Sequence, residues 1–572
     1  MSAITLAEFT HLLSLSRPPT GWGKFISQSL SVALSGGPDS ICLLSLLKRA
    51  SLDVPLRSIT IDHGLQPTSR DSALRTRTRS EAIGVPGVIL PAEWNRGKPS
   101  PGEAVEEAAR DARYQALWRG LQLYDGPGTV MFGHHADDQL ETVIMRVLRG
   151  TGTYGLGGMR AVRRWGWVGV EDCGLLQTRT SESRADHALR GMQTYISRPL
   201  LTIPKVSPPH VIFYHIERFT LLIPTIKRPI ERILATCRAY NLDYEQDVTN
   251  FMPDLTVRNA VRYALTGAHH SVFTNGIHTP NLAKRTLNSL PIVGVLNSSH
   301  VDRIARDNTV DGVRDSISID RIQAAVSHVH TLAGGTGEPN LDLMRAYVGK
   351  MSVRVRQVDG IGVYNSKALL GIDDSTLFLV TNYLQTYTRP SPPSTLLLVP
   401  PPKQQIETDV THALIHRILR YTSPHPWGAP ESEAHRRKAS IERIAHRIFD
   451  ETEQPTSFCA GAQVLWSPVW VRKDGGIRTR RAGDEHGGRT KAWLASRQPP
   501  SALTSLDRQV GPGETLVVWD NRFLIRVPDS GICIHSRLVV RPRGRFVLPH
   551  LVRNDHVVDD CGVEFVRELG AI

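Results

Sequence analysis

Three short β-rich runs between residues 27 and 160 each end in a cluster of polar residues, and this alternation most constrains the fold. The runs are Ser31–Leu34, Arg57–Ile61 and Thr129–Phe132, and helical patterns separate them. Strands that alternate with helices predict βαβ units and a parallel sheet. Ligands of such open sheets bind beyond the carboxyl ends of the strands. The three polar clusters therefore predict one shared ligand site.

Length and charge limit the class of protein. A chain of 572 residues exceeds what one hydrophobic core usually organises, so we expect about two to four domains. The net charge of +13 favours a polyanionic partner, because Lys and Arg side chains that neutralise phosphates release bound counterions. Charge alone leaves open a basic protein without a nucleic-acid partner. No run of about 18 apolar residues occurs, so we expect no membrane span.

Composition and hydrophobic pattern predict an α/β fold class, with a Rossmann-like parallel sheet in the N-terminal domain and helical and β-rich C-terminal domains. The first segment is either a transit peptide or an ordinary N-terminal helix. The predicted parts are a leader over 1–26, a catalytic domain over 27–265 with inserts at about 160–197 and 202–226, an irregular region and linker over 266–400, and a C-terminal region over 401–572.

The first polar cluster has the composition of a phosphate-binding loop. Glycines let the backbone turn tightly, and the helix that follows adds the positive end of its dipole, so that backbone N–H groups can bind phosphate oxygens. The alternative is a glycine turn that merely precedes a helix. The loop lacks the lysine of a Walker A motif. The six predicted binding residues are Ser35, Gly36, Gly37, Pro38, Asp39 and Ser40.

The third cluster carries two histidines and three acids at the start of a predicted helix. We expect His134 and Asp138 to share one helix face, with Asp137 and Glu141 on another. Helix capping explains acids in a first turn, but two adjacent histidines exceed what a cap requires. A zinc site is the competing chemical interpretation.

Two arginines form a further candidate group. Arg110 and Arg113 lie three positions apart on a predicted helix, which places two forked cations on one face for binding phosphate. A solvated arginine face is the alternative.

The motifs together resemble those of the tRNA(Ile)-lysidine synthetases, within the N-type ATP pyrophosphatases. The resemblance covers about residues 27–265 and weakens beyond, where Trp519–Phe523 is similar to a segment of some members. The matching segments are SGGPDS at 35–40, DHGL at 62–65, ARDARY at 109–114, HHADDQLET at 134–142, LRGTG and GLGGM at 148–159, RPLL at 198–201, and DVTN with RN and Arg262 at 247–262.

The resemblance implies an enzyme that adenylates the wobble cytidine of a tRNA(Ile) with a CAU anticodon and then attaches L-lysine to form lysidine. ATP would lie on the glycine loop and on Asp62 and His63, with Mg²⁺ held by Asp39 and Asp138. The implied catalytic residues are Asp39, His134, Asp137, Asp138, Arg110, Arg113 and Arg198. The basic stretches Arg436–Arg447 and Arg472–Arg481 are candidate tRNA contacts.

Two other functions compete with this interpretation. A tRNA thiolase of the same superfamily would need cysteine pairs or a metal cluster, and Cys42 has no sequence neighbour that suggests a partner. A non-catalytic tRNA-binding protein is the second alternative, against which the intact motifs argue. The inserts and the leader favour a mitochondrial location over a cytoplasmic one.

Overall fold

The first sheet is six-stranded and carries the three polar clusters along one edge. The computed structural model describes residues 3–18, 29–94, 105–123, 128–151, 153–166, 190–204, 214–216, 219–221, 232–245, 257–266, 319–358, 388–390, 394–399, 408–425, 438–450, 456–473, 476–481, 483–484, 489–501, 503–511, 514–528, 538–543, 548–558 and 562–565.

The strands of this sheet lie in the order β3-β2-β1-β4-β6-β5, and all neighbours are parallel except the pair β5 and β6. Their bounds are β1 Leu30–Ala33, β2 Leu56–Asp62, β3 Gly87–Pro91, β4 Thr129–Met131, β5 Val162–Arg164 and β6 Tyr195–Ser197. The three strands expected from the sequence are confirmed. The ends of the 160–197 insert also belong to the sheet, as β5 and β6.

The helices of the N-terminal half pack on this sheet and on one another. Their bounds are α1 Leu6–Leu15, α2 Pro38–Arg49, α3 Ser69–Ala82, α4 Val105–Gln122, α5 Ala136–Leu148, α6 Thr153–Leu156, α7 Arg232–Ala239 and α8 Val257–Thr266. Within the insert at 202–226, β7 Tyr214–Ile216 and β8 Phe219–Leu221 form a two-stranded antiparallel pair.

Helix α1 belongs to the core of the catalytic domain. Phe9 and Leu13 are buried in one cluster with residues of α2 and α7. Glu8 accepts two hydrogen bonds from Arg232 of α7, at 2.7 and 2.6 Å. The expected boundary at residue 27 is therefore wrong, because residues 3–18 are packed into the domain that follows.

Two helices occupy the middle of the region expected to be irregular. They are α9 Ile319–Leu332 and α10 Leu341–Val358. Their buried residues Val326, Val329 and Met344 share one core with Leu140 and Ile144 of α5. The expectation of an irregular region over 266–400 is thus wrong for residues 319–358, because an apolar face there is buried against the catalytic domain.

The described residues of the C-terminal part form two helices and three antiparallel sheets, which agrees with the helical and β-rich regions that the sequence predicts. The helices are α11 Thr408–Thr422 and α12 Lys438–Phe449. The strands are β9 Thr388–Pro390, β10 Leu396–Leu398, β11 Phe458–Cys459, β12 Val464–Val471, β13 Ile477–Thr479, β14 Thr490–Arg497, β15 Arg508–Gln509, β16 Leu516–Trp519, β17 Phe523–Arg526, β18 Leu538–Arg543, β19 Leu548–Arg553, β20 His556–Val558 and β21 Gly562–Phe565. In the described part of the chain, no helix is long and apolar enough to cross a membrane.

Residues 396–398, near the end of the region expected to be irregular and a linker, are part of a sheet. There β10 pairs with both β9 and β14, so it is an inner strand. β16 and β17 form a hairpin, in which they pair antiparallel across Asp520 and Asn521, both with φ +51°. The carboxylate of Asp520 accepts hydrogen bonds from the buried Arg497 and Arg522, which fixes the turn.

Candidate active site

The candidate site lies where the strand order reverses. The chain runs from β1 outward through β2 to β3 and then returns to β4 on the other side of β1. The connections after β1 and β4 therefore leave in opposite directions, which opens a crevice at the carboxyl ends of these two strands. Ser35–Ser40 follows β1, and His134–Asp138 follows β4. The predicted convergence of these clusters is confirmed.

The glycine loop is braced internally. Gly36 has φ +84°, a left-handed conformation that favours glycine, and a Cβ there would lie 2.3 Å from Oγ1 of Thr76. The Ser40 hydroxyl donates to the Gly37 carbonyl at 3.1 Å and accepts from the Ser35 amide at 3.3 Å. Helix α2 begins at Pro38, where proline lacks only a hydrogen bond that a first-turn residue would not make. The N–H groups of that first turn have no intrahelical partner, so they are available to an anion.

Gly133 allows the two clusters to touch, a role that the sequence reasoning missed. A Cβ at this position would lie 2.8 Å from the carbonyl carbon and oxygen of Asp39 and 3.0 Å from the Ser40 amide nitrogen. No real side chain tolerates backbone contacts that short. The signal was present, since a glycine stands directly between the β4 run and the histidine pair.

His135 is the centre of the acid cluster. Its Nε2 lies 3.8 Å from Oδ1 of Asp39 and 3.4 Å from Oδ2 of Asp138, and its Nδ1 lies 3.6 Å from Oδ2 of Asp137. The same residue is the N-cap of α5: its Nδ1 accepts from the Asp137 amide, and Asp138 accepts from the His135 amide. The capping interpretation is therefore correct as well, and one set of side chains both starts the helix and joins it to Asp39.

His134 precedes the helix, so the expected shared helix face of His134 and Asp138 is wrong. Its ring stacks on Phe132, with centroids 5.3 Å apart, and its Nδ1 accepts a hydrogen bond from Nε of Arg198 at 3.1 Å. Burial and the Arg198 charge hold the pKa of His134 well below its usual value, although Asp138 raises it. The imidazole is thus neutral at neutral pH, and with Nδ1 engaged its proton lies on Nε2. In this arrangement His134 is a hydrogen-bond donor, and a carboxylate is the better candidate base.

Asp138 is held ionised by its neighbours. Burial raises the pKa of its carboxyl, but the two histidines, the His135 amide and Arg258 together hold that pKa well below the usual range. A buried carboxylate that stays ionised suits a metal ligand or a stabiliser of developing positive charge.

Mg²⁺ fits this arrangement. The ion usually keeps several waters and takes one or two carboxylates together with substrate phosphates. Asp39 and Asp138 both approach Nε2 of His135, so their oxygens face the same small volume beside the phosphate loop. Among the described residues no group of three or more His, Cys, Asp or Glu is placed to hold a metal, and a site shared with ATP phosphates does not require one.

Four arginines converge on Tyr114, at the side of the crevice formed by α4, β5 and the end of β6. The guanidinium carbons of Arg110 and Arg163 lie 5.1 and 5.8 Å from the ring centroid of Tyr114. Within the described residues, no carboxylate forms an ion pair with Arg110, Arg163 or Arg198, although Arg198 is only 3% exposed. Burial lowers the pKa of Arg198 to about 10. Several cations close together, one of them buried, are costly without a carboxylate to balance them, so this cluster is suited to an anionic ligand.

The pKa of the Tyr114 hydroxyl responds to the positive charges of that cluster. Burial raises its pKa, but the charges of Arg163, Arg198, Arg110 and Arg113 outweigh burial and lower the pKa to about 7. Neither Tyr114 nor Arg163 was among the site residues expected from the sequence. The predicted common face of Arg110 and Arg113 is consistent with their joint effect on Tyr114.

We expect one of the thirteen tyrosines to ionise near neutrality. A tyrosine whose folded pKa is lowered stabilises the fold fully above its unfolded value of about 10, and that contribution is lost as pH falls through about 7. The measurement is the near-ultraviolet phenolate absorbance of wild type minus that of Tyr114→Phe, across this pH window. Arg163→Ala should move the transition to higher pH. A difference spectrum that changes only near pH 10 would refute the expectation that the arginine cluster lowers the pKa of Tyr114.

Asp62 and His63 lie at the same sheet edge, after β2. Asp62 Oδ1 accepts from the Gly64 amide at 3.0 Å and the Ser69 hydroxyl at 2.8 Å, so this carboxylate is engaged in the turn that starts α3. Burial and then Arg113 lower the pKa of His63, which therefore faces the arginine cluster. Their predicted ATP contact stays a prediction.

Helix α5 also anchors the arginines of the last motif. Glu141 is 2% exposed and binds Arg262 through both carboxylate oxygens, at 2.7 and 3.0 Å, while Arg258 lies 3.5 Å away. Burial and Asp138 raise the pKa of Glu141 in spite of these arginines. The preceding DVTN segment at 247–250 lies outside the described residues.

Arg345 of α10 reaches the site from the helices that the sequence analysis missed. Its Nε donates to Oδ1 of Asp137 at 2.7 Å, its Nη2 contacts the same oxygen, and its Nη1 donates to Asp342 at 2.9 Å. Asp137 is thus held by a guanidinium, which leaves Asp39 and Asp138 as the carboxylates nearest the phosphate loop.

The GLGGM segment has a structural role. Gln139 of α5 donates to the Met159 carbonyl at 2.9 Å and accepts from the Met159 amide at 2.5 Å. Arg146 donates to the carbonyls of Gly155 and Gly158 at 3.2 and 2.7 Å. Gly158 has φ +60°, and a Cβ there would meet the Gln139 side chain at 2.5 Å. This segment therefore fixes α5 and with it the acid cluster.

Cys42 has a cysteine neighbour that its sequence surroundings did not suggest. Both Cys42 and Cys237 are fully buried free thiols in the core behind α2, and Cys237 donates to the Pro38 carbonyl at 3.6 Å. Cys237 and then burial raise the pKa of Cys42. Cys42 thus lies in the core and keeps its proton, which a thiol that attacks a substrate does not.

Residues 11–208 match a family model described as a PP-loop domain. Curated relatives confirm the resemblance to tRNA(Ile)-lysidine synthases. The enzyme of Alkalilimnicola ehrlichii is 46% identical over 137 residues, 24% of this chain and 29% of that protein. Those of Bradyrhizobium sp. and Methylobacterium sp. are 32% and 40% identical over 231 and 135 residues, which cover 40% and 24% of this chain and 49% and 38% of the relatives.

The chain therefore matches less than half the length of these relatives. Among solved structures, the U34-tRNA thiolase NcsA from Methanococcus maripaludis with its 4Fe-4S cluster is 14% identical, with a TM-score of 0.29 over 56% of this chain and 87% of that one. We base nothing on a likeness that low.

Proposed function

We propose that the chain is an ATP-dependent ligase that adenylates the wobble cytidine of a CAU-anticodon tRNA(Ile) and attaches L-lysine to it, forming lysidine. The proposal rests on the contact of three groups in the crevice where the strand order reverses: the phosphate loop, the acid cluster and the arginine cluster. The phosphate loop contacts the acid cluster where Oδ1 of Asp39 lies 3.8 Å from Nε2 of His135. The acid cluster contacts the arginine cluster where Nε of Arg198 donates to Nδ1 of His134 at 3.1 Å.

This order of groups suits adenylation. ATP lies on the loop, with Mg²⁺, which neutralises phosphate charge, held by Asp39 and Asp138. The cytidine carbonyl oxygen attacks the α-phosphorus, the bond to the β-phosphate oxygen breaks, and pyrophosphate leaves. Arg198 and Arg110 stabilise the charge that develops on the phosphate, since neither cation forms an ion pair with a carboxylate of the described residues. Arg113, which acts on Tyr114 together with them, adds a further positive charge at this side of the crevice.

Lysine transfer then needs a deprotonated amine. Its nitrogen attacks the cytidine carbon that carries the adenylate, the carbon–oxygen bond breaks, and AMP leaves. A carboxylate of the cluster accepts the proton, because Nδ1 of His134 is already engaged by Arg198.

The C-terminal part is the proposed tRNA-contacting region. Arg472, Lys473, Arg478, Arg481 and Lys491 are exposed on β12–β14 and the loops next to them, which gives a basic surface for phosphates. In the other basic stretch, Arg443 is exposed and Arg447 lies over Phe458; residues 436–437 lie outside the described part. We further propose a mitochondrial location, with the cytoplasm as the alternative; a fluorescent fusion of the full chain tests it.

The test of the function is incubation of the chain with ATP, labelled lysine and a set of tRNAs. We expect label in tRNA(Ile) with a CAU anticodon, equal amounts of AMP and pyrophosphate, and no label in a methionine tRNA with the same anticodon. Sulfur incorporation without lysine would indicate a thiolase. tRNA binding with no AMP release would indicate a non-catalytic protein.

A further inference from the structure

The segment after α7 contacts the phosphate loop. The backbone N–H of Glu245 donates to the Gly36 carbonyl at 2.9 Å. In a trans peptide the C=O and the next N–H point in opposite directions. Fixing the Gly36 carbonyl on the Glu245 side therefore directs the Gly37 N–H away from Glu245. That N–H opens α2, where phosphate-binding amides are expected.

The side chain of Glu245 is tied to α3. Arg75 Nε donates to Oε1 at 2.5 Å, Arg79 Nη1 lies 3.2 Å from the same oxygen, and the Ser72 hydroxyl donates to Oε2. Burial raises the pKa of Glu245, but these three partners lower it overall, so the carboxylate is ionised at neutral pH. Charge-assisted hydrogen bonds of this kind are among the stronger ones in proteins.

The same face of α3 supports the loop from the other side. Thr76 packs against Gly36, so closely that a Cβ at Gly36 would lie 2.3 Å from its hydroxyl oxygen. Arg75 and Thr76 follow Ser72 by three and four positions, and Arg79 follows them by four and three, so the four residues share that face. Gly36 is thus bounded on one side by Thr76 and on another by the amide of a residue that α3 itself anchors.

We propose that Glu245 is a positioning residue for ATP, which holds the Gly36–Gly37 peptide in its phosphate-binding orientation through the tie of its carboxylate to α3. It touches no reacting atom. The inference deepens the proposed function, because it takes the loop as the ATP site, and it names a residue outside the motifs of the resemblance.

The test compares Glu245→Ala with Asp243→Ala in the full chain. Asp243 is the matched control, since its carboxylate also pairs with Arg79, at 2.7 Å, but it is 77% exposed and no hydrogen bond found for it reaches the loop. We expect Glu245→Ala to raise the ATP dissociation constant, measured by calorimetry with Mg²⁺, at least about tenfold. Asp243→Ala should change it less than about twofold, and tRNA affinity should stay constant in both variants. Glu245→Gln, which keeps the hydrogen-bonding shape, should recover part of the loss.

Equal ATP affinities for Glu245→Ala and Asp243→Ala would overturn the inference. If Glu245→Ala does not fold, Glu245→Gln decides: ATP affinity equal to wild type would refute the role of the charged tie. ATP binding by the wild type without lysine transfer would refute the proposed function and leave this inference standing. Absence of ATP binding by the wild type would refute both.

Discussion

Asp39→Ala should lower lysine transfer on the order of a thousandfold while tRNA affinity stays within about twofold of wild type. The substitution removes a carboxylate that faces His135 beside the phosphate loop, and it removes no basic group that could bind RNA. Initial rates of lysine incorporation at saturating tRNA measure the first effect, and filter binding of labelled tRNA measures the second.

Asp71→Ala is the matched control for Asp39→Ala. Both acids lie in the first turn of a helix, α2 for Asp39 and α3 for Asp71, but Asp71 is exposed to solvent. A comparable loss in both variants would mean that a general helix-terminus effect was measured. Unchanged lysine incorporation by Asp39→Ala would refute the assignment of the phosphate loop.

With tRNA and ATP but no lysine, the enzyme should accumulate a tRNA–AMP adduct, and added lysine should discharge it. This order follows from a two-step reaction in which the adenylated base must exist before the amine attacks it. Label from the α-phosphate of ATP should appear in the tRNA, and label from the γ-phosphate should leave as pyrophosphate. Formation of ADP would contradict the mechanism while leaving the fold intact.

His134→Ala and Asp138→Asn divide the same reaction by step. Asp138→Asn removes the charge but keeps an oxygen for the His135 amide, so the cap of α5 survives and a loss reports the carboxylate. His134→Ala removes the ring that holds Arg198 and should slow adduct formation more than its discharge. Asp320→Asn, at an exposed position in the first turn of α9, should alter neither step. Wild-type rates of both steps in both site variants would exclude these residues from the chemistry.

The sequence predicted those parts of the fold and of the site that depend on a local pattern of residues. β-branched runs bounded by glycine and polar residues predicted β1, β2 and β4, and the clusters at their ends predicted the crevice. The helix α9 was missed although Ile322, Val326 and Val329 have helical spacing, because a long stretch without clear pattern precedes it. A periodicity test over that window would have found it.

Contacts between distant segments could not be predicted in this way. Arg345 meets Asp137 across 208 positions, and Arg163 meets Tyr114 only because β5 folds back beside β6. Nothing in the sequence around Arg345 distinguishes it from a solvated arginine. A capping role for the first-turn acids was set below a catalytic one, whereas in the structure Asp138 accepts from the His135 amide in the cap and also lies 3.4 Å from Nε2 of His135. Reasoning from a local pattern treats such roles as alternatives, although one buried side chain can fill both of them.

Helix α5 shows that the part of the chain that must fold together is larger than the part that carries the motifs. Its first turn carries the acids, while Leu140 and Ile144 further along are covered by α9 and α10. A fragment cut after the last recognisable motif would leave that apolar flank in water, and the acids would stand on a poorly supported helix. The motif-bearing region and the cooperative folding unit therefore have different borders. The hydrophobic core that supports the acid cluster therefore extends at least as far along the chain as Val348.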